Sequence, residues 1–272
     1  TNGQRRAAID ILQDLEHETP MYRLLEGDVG SGKTVVAALA GFAVTEAGWN
    51  VVMMAPTEIL AQQHFSTLTK FFSTTTTPVA LWTSGFRKLS RRGQTTALAR
   101  RSIAEQIPHR GVFLVGTQAL LGDRADLKHI ALVIVDEQHR FGVGQRQFLQ
   151  QKSRGTTPHL LSLTATPIPR SLALTLAGDL KLSVLATKPK GRLAVITKLL
   201  QPEQRGTLYR RLATQLDAGR QAFVIAPLIE PSDLLGVASA TALVEELRTF
   251  FPHRRLGLLH GKLSSAAKDA AL

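Results

Sequence analysis

The 272-residue chain contains no cysteine, which excludes disulfides and thiolate metal sites and fits a reducing compartment. Its eight histidines are scattered without ligand spacing, so a metal held by protein groups alone is not expected. No run approaches the ~18 apolar residues of a membrane span, and the polar opening Thr1-Asn2-Gly3-Gln4-Arg5-Arg6 has none of the character of a secretory signal. Acid is scarce: 21 Asp and Glu stand against 33 Lys and Arg, a formal net charge of +12. That surplus points to a polyanionic partner, nucleic acid first, although a basic solvated surface has the same composition.

What is present describes a globular chain, 44% hydrophobic and 20% charged, longer than one usual domain, so two lobes are expected. The stretch that organises it is Gly27-Asp28-Val29-Gly30-Ser31-Gly32-Lys33-Thr34, which fits G-x-x-x-x-G-K-[ST] at every specified position. Glycines let backbone N–H groups turn inward around a polyphosphate, and the following helix N-terminus adds partial positive charge. Lys33 then reaches the β- and γ-phosphates and Thr34 ligates Mg²⁺. The context fits: residues 21–25 read as a short apolar strand and residues 35–40 as a buried helix. Upstream, Gln4 stands at the start of an amphipathic helix over residues 7–15. Its amide can read an adenine edge, or it can be an ordinary exposed helix-start residue.

A strand at residues 51–55 is ended by Pro56, and Thr57 can cap a helix running through Leu60, Ala61, Phe65 and Leu68, whose first turn would offer N–H groups to a phosphate. Residues 73–78 read as a loop, followed by a strand at 79–82. Arg87, Lys88, Arg91, Arg92, Arg100 and Arg101 have no acid between them and read as a solvated helix face able to meet nucleic-acid phosphates. Residues 111–115 form the next strand, ending in Gly116-Thr117-Gln118.

Residues 131–139, ALVIVDEQH, read as a fully buried strand carrying two carboxylates at its C-terminal end, where open α/β sheets place their ligands. Asp136 would hold Mg²⁺ and Glu137 would orient the water that attacks the γ-phosphate. A further strand near residues 160–164 carries Thr164 and, beyond it, Thr166, hydroxyls able to bond Gln138 and His139. Phosphate loop and paired acids together make nucleoside-triphosphate hydrolysis the leading reading.

The ordered set GDVGSGKT, APTEILAQQH, VGTQALL, DEQHRFGVGQR and LTATPIPR resembles superfamily 2 helicases, and among them the RecG family of bacterial DNA branch-migrating helicases. The resemblance continues through residues 172–180, 219–230 and 257–262. It implies an ATP- and Mg²⁺-dependent motor on duplex DNA that remodels forks and Holliday junctions, working on the nucleoid in the bacterial cytoplasm. Gln4 matches the adenine-reading glutamine; Gly27, Asp28, Gly30, Ser31, Gly32, Lys33 and Thr34 match the nucleotide loop; Asp136 and Glu137 match the metal and water residues. Thr57, Gln62, Thr117, Gln118 and His260 fall in segments that line the nucleic-acid path, and Gln138, His139, Thr164 and Thr166 match coupling elements. Transcription-repair coupling translocases are the alternative; residues 84–87 and 186–195 lean their way, while Gln138 and residues 226–230 favour RecG.

The implied fold is α/β: a RecA-like lobe over residues 1–188, its parallel sheet flanked by helices, then an incomplete second RecA-like lobe over 189–272. In that lobe residues 194–199, 222–226 and 256–259 read as strands and 208–216 and 240–250 as helices. On the family pattern the chain is a fragment, without the N-terminal wedge domain and the remainder of the second lobe. Arginines supplied across the cleft contribute ~10³ to 10⁵ in phosphoryl-transfer rate, so the chain alone is expected to bind nucleotide and turn it over poorly.

Overall fold

The computed structural model describes residues 1–99, 107–108, 110–117, 120, 129–136, 157–165, 180–186, 195–228, 239–263, 267 and 271. The chain divides into two compact units, Thr1–Arg192 and Leu193–Leu272. Among the described residues no helix is long and apolar enough to cross a membrane.

The first unit is built on a nine-stranded sheet of order β5-β4-β3-β6-β2-β7-β8-β1-β9. The strands are β1 (Tyr22–Gly27), β2 (Asn50–Met54), β3 (Val79–Trp82), β4 (Arg87–Arg91), β5 (Gln94–Ala97), β6 (Phe113–Gly116), β7 (Ile130–Asp136), β8 (His159–Thr164) and β9 (Lys181–Leu185). All pairings are parallel except β3 with β4 and β4 with β5. The central strands are apolar at consecutive positions because both faces are covered. Along β2, Val51 and Met53 join a core formed with Ala7 and Ile11, Val36 and Ala37, and Ala61 and Leu68. Val52 and Met54 face a second core with Ala80, Leu114 and Val133.

Three helices supply the first of those cores: α1 (Asn2–Leu15), α2 (Lys33–Glu46) and α3 (Glu58–Phe71). Helix α1 starts at Thr1, whose hydroxyl accepts from the Gln4 backbone N–H while the Gln4 side chain reaches back, a reciprocal cap. Helix α2 lies so close to the sheet that a Cβ on Gly41 would stand 2.2 Å from the Phe113 ring. Helix α3 is capped by Thr57, whose hydroxyl accepts from Leu60 N–H, as the sequence suggests.

Residues 87–91 are no helix face: with residues 94–97 they form an antiparallel hairpin. The turn residues Arg92 and Gly93 have φ of 49° and 78°, the left-handed conformation that a two-residue hairpin loop needs. The ladder with β3 decides the matter: Ser90 pairs with Val79 and Arg87 with Trp82, and Leu89 and Ser90 are both buried, on opposite faces of an extended chain. Strand β9 has no counterpart in the sequence reading; its charged first residue and exposed Leu182 and Val184 hide the pattern of a strand at the sheet edge.

α1, β1 and β9 are joined by a buried polar network. The guanidinium of Arg23 donates to Asp14 at 2.9 Å and to Ser183 Oγ at 2.7 Å, and Lys181 Nζ donates to Asp14 at 2.7 Å. Burial alone would raise the Asp14 pKa, but the hydrogen bonds from Lys181 and Arg23 outweigh it and hold the carboxyl below its ordinary value.

The second unit contains α4 (Arg205–Asp217) and α5 (Ala240–Phe250), packed through Tyr209, Leu247 and Phe251, with a hydrogen bond from the Tyr209 hydroxyl to Glu246. Among the described residues, the strands expected at 194–199, 222–226 and 256–259 are not seen. Over their described residues these segments are irregular, with Ile196 81% and Ile225 90% exposed. A β-rich sequence becomes a strand only when a neighbour takes up its backbone N–H and C=O groups. Among the described residues of this unit the one β-pairing is an isolated bridge between Leu228 and Ser239.

Candidate nucleotide site

The sheet order sets the site. Strands β1, β8 and β7 are consecutive neighbours, so the loop after β1 and the acid ending β7 emerge on the same edge, separated by β8. The register is direct: Glu26 pairs with Thr164 and Asp136 with Leu163. Thr164 is buried, 1% exposed, between the two.

The loop after Gly27 is shaped by its glycines. Gly30 and Gly32 have φ of 79° and 93°, and a Cβ on Gly32 would fall 2.1 Å from Gln4 Nε2. The Gln4 amide lies across the loop, donating to the Ser31 carbonyl at 2.7 Å and accepting from the Thr1 amino group at 2.8 Å. Lys33 Nζ donates to the carbonyls of Gly27 at 2.6 Å and Asp28 at 3.1 Å, which holds the ammonium inside the loop. The Asp28 carboxylate turns back to accept from Val29 N–H. Helix α2 begins at Gly32 without a side-chain cap, and Thr34 lies half-buried in its first turn.

A polyphosphate fits this geometry on two further observations. Ser31 Oγ is buried without a hydrogen-bond partner, and a Cβ on Gly27 would stand 2.6 Å from it, so the cradle is open only because residue 27 is glycine. For a divalent ion the available donors, the Thr34 hydroxyl and the Asp136 carboxylate, are hard oxygens suited to Mg²⁺. Among the described residues no cluster of three or more His, Cys, Asp or Glu could hold a metal. An ion here would therefore take further ligands from phosphates and water.

Asp136 has a partner the sequence did not single out. His64, on α3, places Nε2 2.8 Å from Asp136 Oδ2, with side-chain exposures of 12% and 13%. A carboxylate only accepts, so Nε2 carries the hydrogen. The one sequence signal was a histidine ending the APTEILAQQH stretch.

The strand-end residues expected on a nucleic-acid path are spread along the same edge. Thr57 is exposed after β2, Gln62 half-exposed on α3, and Thr117 half-exposed after β6, and β6 pairs with β2 in parallel register. Glu58 reaches across to accept from Ser84 Oγ at 2.9 Å and Gly85 N–H at 2.8 Å in the loop after β3. His260 belongs to the second unit, its Nδ1 buried without a hydrogen-bond partner. Gln118, Glu137, Gln138, His139 and Thr166 lie outside the described residues.

The family model for DEAD/DEAH box helicases matches residues 1–175. The chain belongs to that family. Within it, this helicase-family chain is 42% identical over its full length to the "ATP-dependent DNA helicase RecG" of Aquifex aeolicus and 43% identical to that of Synechocystis, covering 33% and 32% of those proteins. The chain thus spans about a third of the length of these curated relatives. Among solved structures it is similar to one described as RecG bound to a three-way DNA junction, with TM-score 0.71, 36% identity, and coverage of 99% of this chain and 34% of the other. A likeness to Saccharomyces cerevisiae Dbp5 bound to RNA and ADP BeF3, with TM-score 0.63 at 16% identity over 98% of this chain and 65% of that one, shows the shared fold alone.

Proposed function

We propose that this chain carries the ATP-binding half of a DNA helicase motor of RecG type, which remodels forked and branched DNA in bacterial recombination and repair. The observation that carries the reading is the convergence of Lys33, held within the phosphate loop, and Asp136, brought to the same sheet edge with only β8 between their strands. Gln4 would read the base, and the loop with Lys33 would hold the phosphates. Thr34 and Asp136 would hold Mg²⁺, which supplies charge neutralisation at the transferred phosphoryl group. Glu137, next in the chain, is assigned to orienting the attacking water. Thr164, buried between β1 and β7, is assigned with Gln138, His139 and Thr166 to relaying the state of that site. Thr57, Gln62, Thr117, Gln118 and His260 are assigned to the DNA path, which the +12 charge favours.

The test is binding of a fluorescent ATP analogue by this chain, with Lys33→Ala as control, together with competition between forked DNA, linear duplex and RNA for the protein. Nucleotide affinity at least tenfold weaker in Lys33→Ala, with forked DNA the best competitor, supports the reading. Nucleotide affinity indifferent to Lys33→Ala sinks it, and preference for RNA or linear duplex sinks the branched-DNA assignment.

A further inference from the structure

We propose that His64 is a positioning residue for the metal-side carboxylate: its Nε2–H fixes the plane of Asp136, and so sets how that acid meets Mg²⁺. The inference rests on the reading of Asp136 as a metal residue given above. It goes further in assigning a role to a side chain on α3, outside the phosphate loop and the paired acids.

Three observations carry it. The contact is short and sheltered, 2.8 Å between side chains that are both close to nine-tenths buried, so solvent competes weakly for either partner. Next, Asp136 ends β7, paired on its β8 side with Leu163. The backbone is therefore fixed, while the carboxylate retains rotation about χ1 and χ2 that the ladder does not restrain. A hydrogen bond to Oδ2 removes that freedom. Finally, α3 does not need this contact in order to dock. Ala61, Phe65 and Leu68 are buried on the sheet, Thr57 caps the helix, and Glu58 ties its first turn to Ser84 and Gly85. His64 thus projects from a support held at several other points, as a group that orients a metal-side acid should.

A histidine that merely fastens α3 to the sheet would affect stability and leave metal response alone, and this separates the two roles. The experiment titrates Mg²⁺ into this chain with a fluorescent ADP, comparing wild type with Lys33→Ala, Asp136→Asn, His64→Leu and His64→Gln. His64→Leu should bind the nucleotide without Mg²⁺ within about twofold of wild type, yet need about tenfold more Mg²⁺ to reach its half-point, in line with groups that orient metal residues. His64→Gln, whose amide N–H reaches about as far as Nε2, should recover to within about threefold. A Leu variant with an unchanged Mg²⁺ half-point, or a Gln variant no better than Leu, overturns the proposal. If His64→Leu loses Mg²⁺-free nucleotide binding through misfolding, His64→Asn, whose donor is too short, takes its place against Gln under the same criterion. Should the wild type ignore Mg²⁺, or Asp136→Asn leave the half-point unchanged, the metal reading itself fails and the role of His64 goes with it.

Discussion

Gly32 shows how much one missing side chain decides. Its φ of 93° costs an L residue roughly 1–2 kcal/mol, and a Cβ there would collide with the Gln4 amide at 2.1 Å. Gly32→Ala should therefore weaken nucleotide binding at least tenfold, as displacement of Gln4 and distortion of the loop act together; fluorescence titration against wild type checks it, and unchanged affinity would refute the tight-cradle description. At this scale the sequence was most readable. Gly27, Gly30, Gly32 and Lys33 are legible because their chemistry is local: spacing along the chain already places every group within a few ångströms of the others. His64 was not legible, because its partner lies 72 positions away and nothing in the spacing between them encodes a contact.

Among the elements, β8 is where pH should act. His159 Nδ1 accepts from Met21 N–H at 3.0 Å, which requires a neutral ring nitrogen at that position. Burial lowers its pKa below the ordinary 6.5, only partly opposed by the charge of Asp14. The unfolded chain therefore takes up the proton first as pH falls. Stability is complete above pH 6.5 and declines as the pH drops toward the folded value. Asp14, also lowered, acts with the same sign in a lower window: its contribution is present above 3.8 and lost below it. Melting temperature measured from pH 7.5 to 5 should fall, and His159→Asn, whose Oδ1 stands about where Nδ1 does and can still accept from Met21, should flatten that slope. A slope unchanged in the variant would assign the loss elsewhere.

The hairpin of β4 and β5 depends on its two turn residues. Gly93→Ala, at φ 78°, should cost about 1–2 kcal/mol in urea unfolding, whereas Arg92→Asn should be neutral or stabilising because Asn tolerates φ 49°. Reading Arg87, Lys88, Arg91 and Arg92 as a helix face failed for a physical reason: charge density says where solvent is and carries no period. Leu89 and Ser90, both buried, are adjacent and show no alternation, so nothing in the sequence marked a strand among six basic residues.

The whole molecule presents unequal halves. Unit Thr1–Arg192 has a sheet covered on both faces, while in Leu193–Leu272 Val195, Ile196, Leu199, Phe223 and Ile225 are 80% or more exposed. Contiguous apolar segments with unpaired backbone favour association. A chain ending at Arg192 should stay monomeric at concentrations where all 272 residues self-associate, and should melt more cooperatively. Light scattering and calorimetry decide this; equal or greater association of the shorter chain would count against it. Here the sequence was only half informative. Apolar, β-branched residues announce a capacity to be a strand, but the partner that realises it is a property of the assembled sheet.

The strand order also ranks the backbone in time. Amides of β2, β7, β8 and β1 have a bonded neighbour on both sides, whereas β5 forms one edge and is exposed at all four positions. In deuterated solvent, exchange should therefore spread inward from the two edge strands, β5 and β9, and reach the central strand β2 last. The loop carrying Lys33 and the acid at position 136 hang from interior strands, β1 and β7, bonded on both sides, so breathing confined to an edge strand leaves the spacing between them intact.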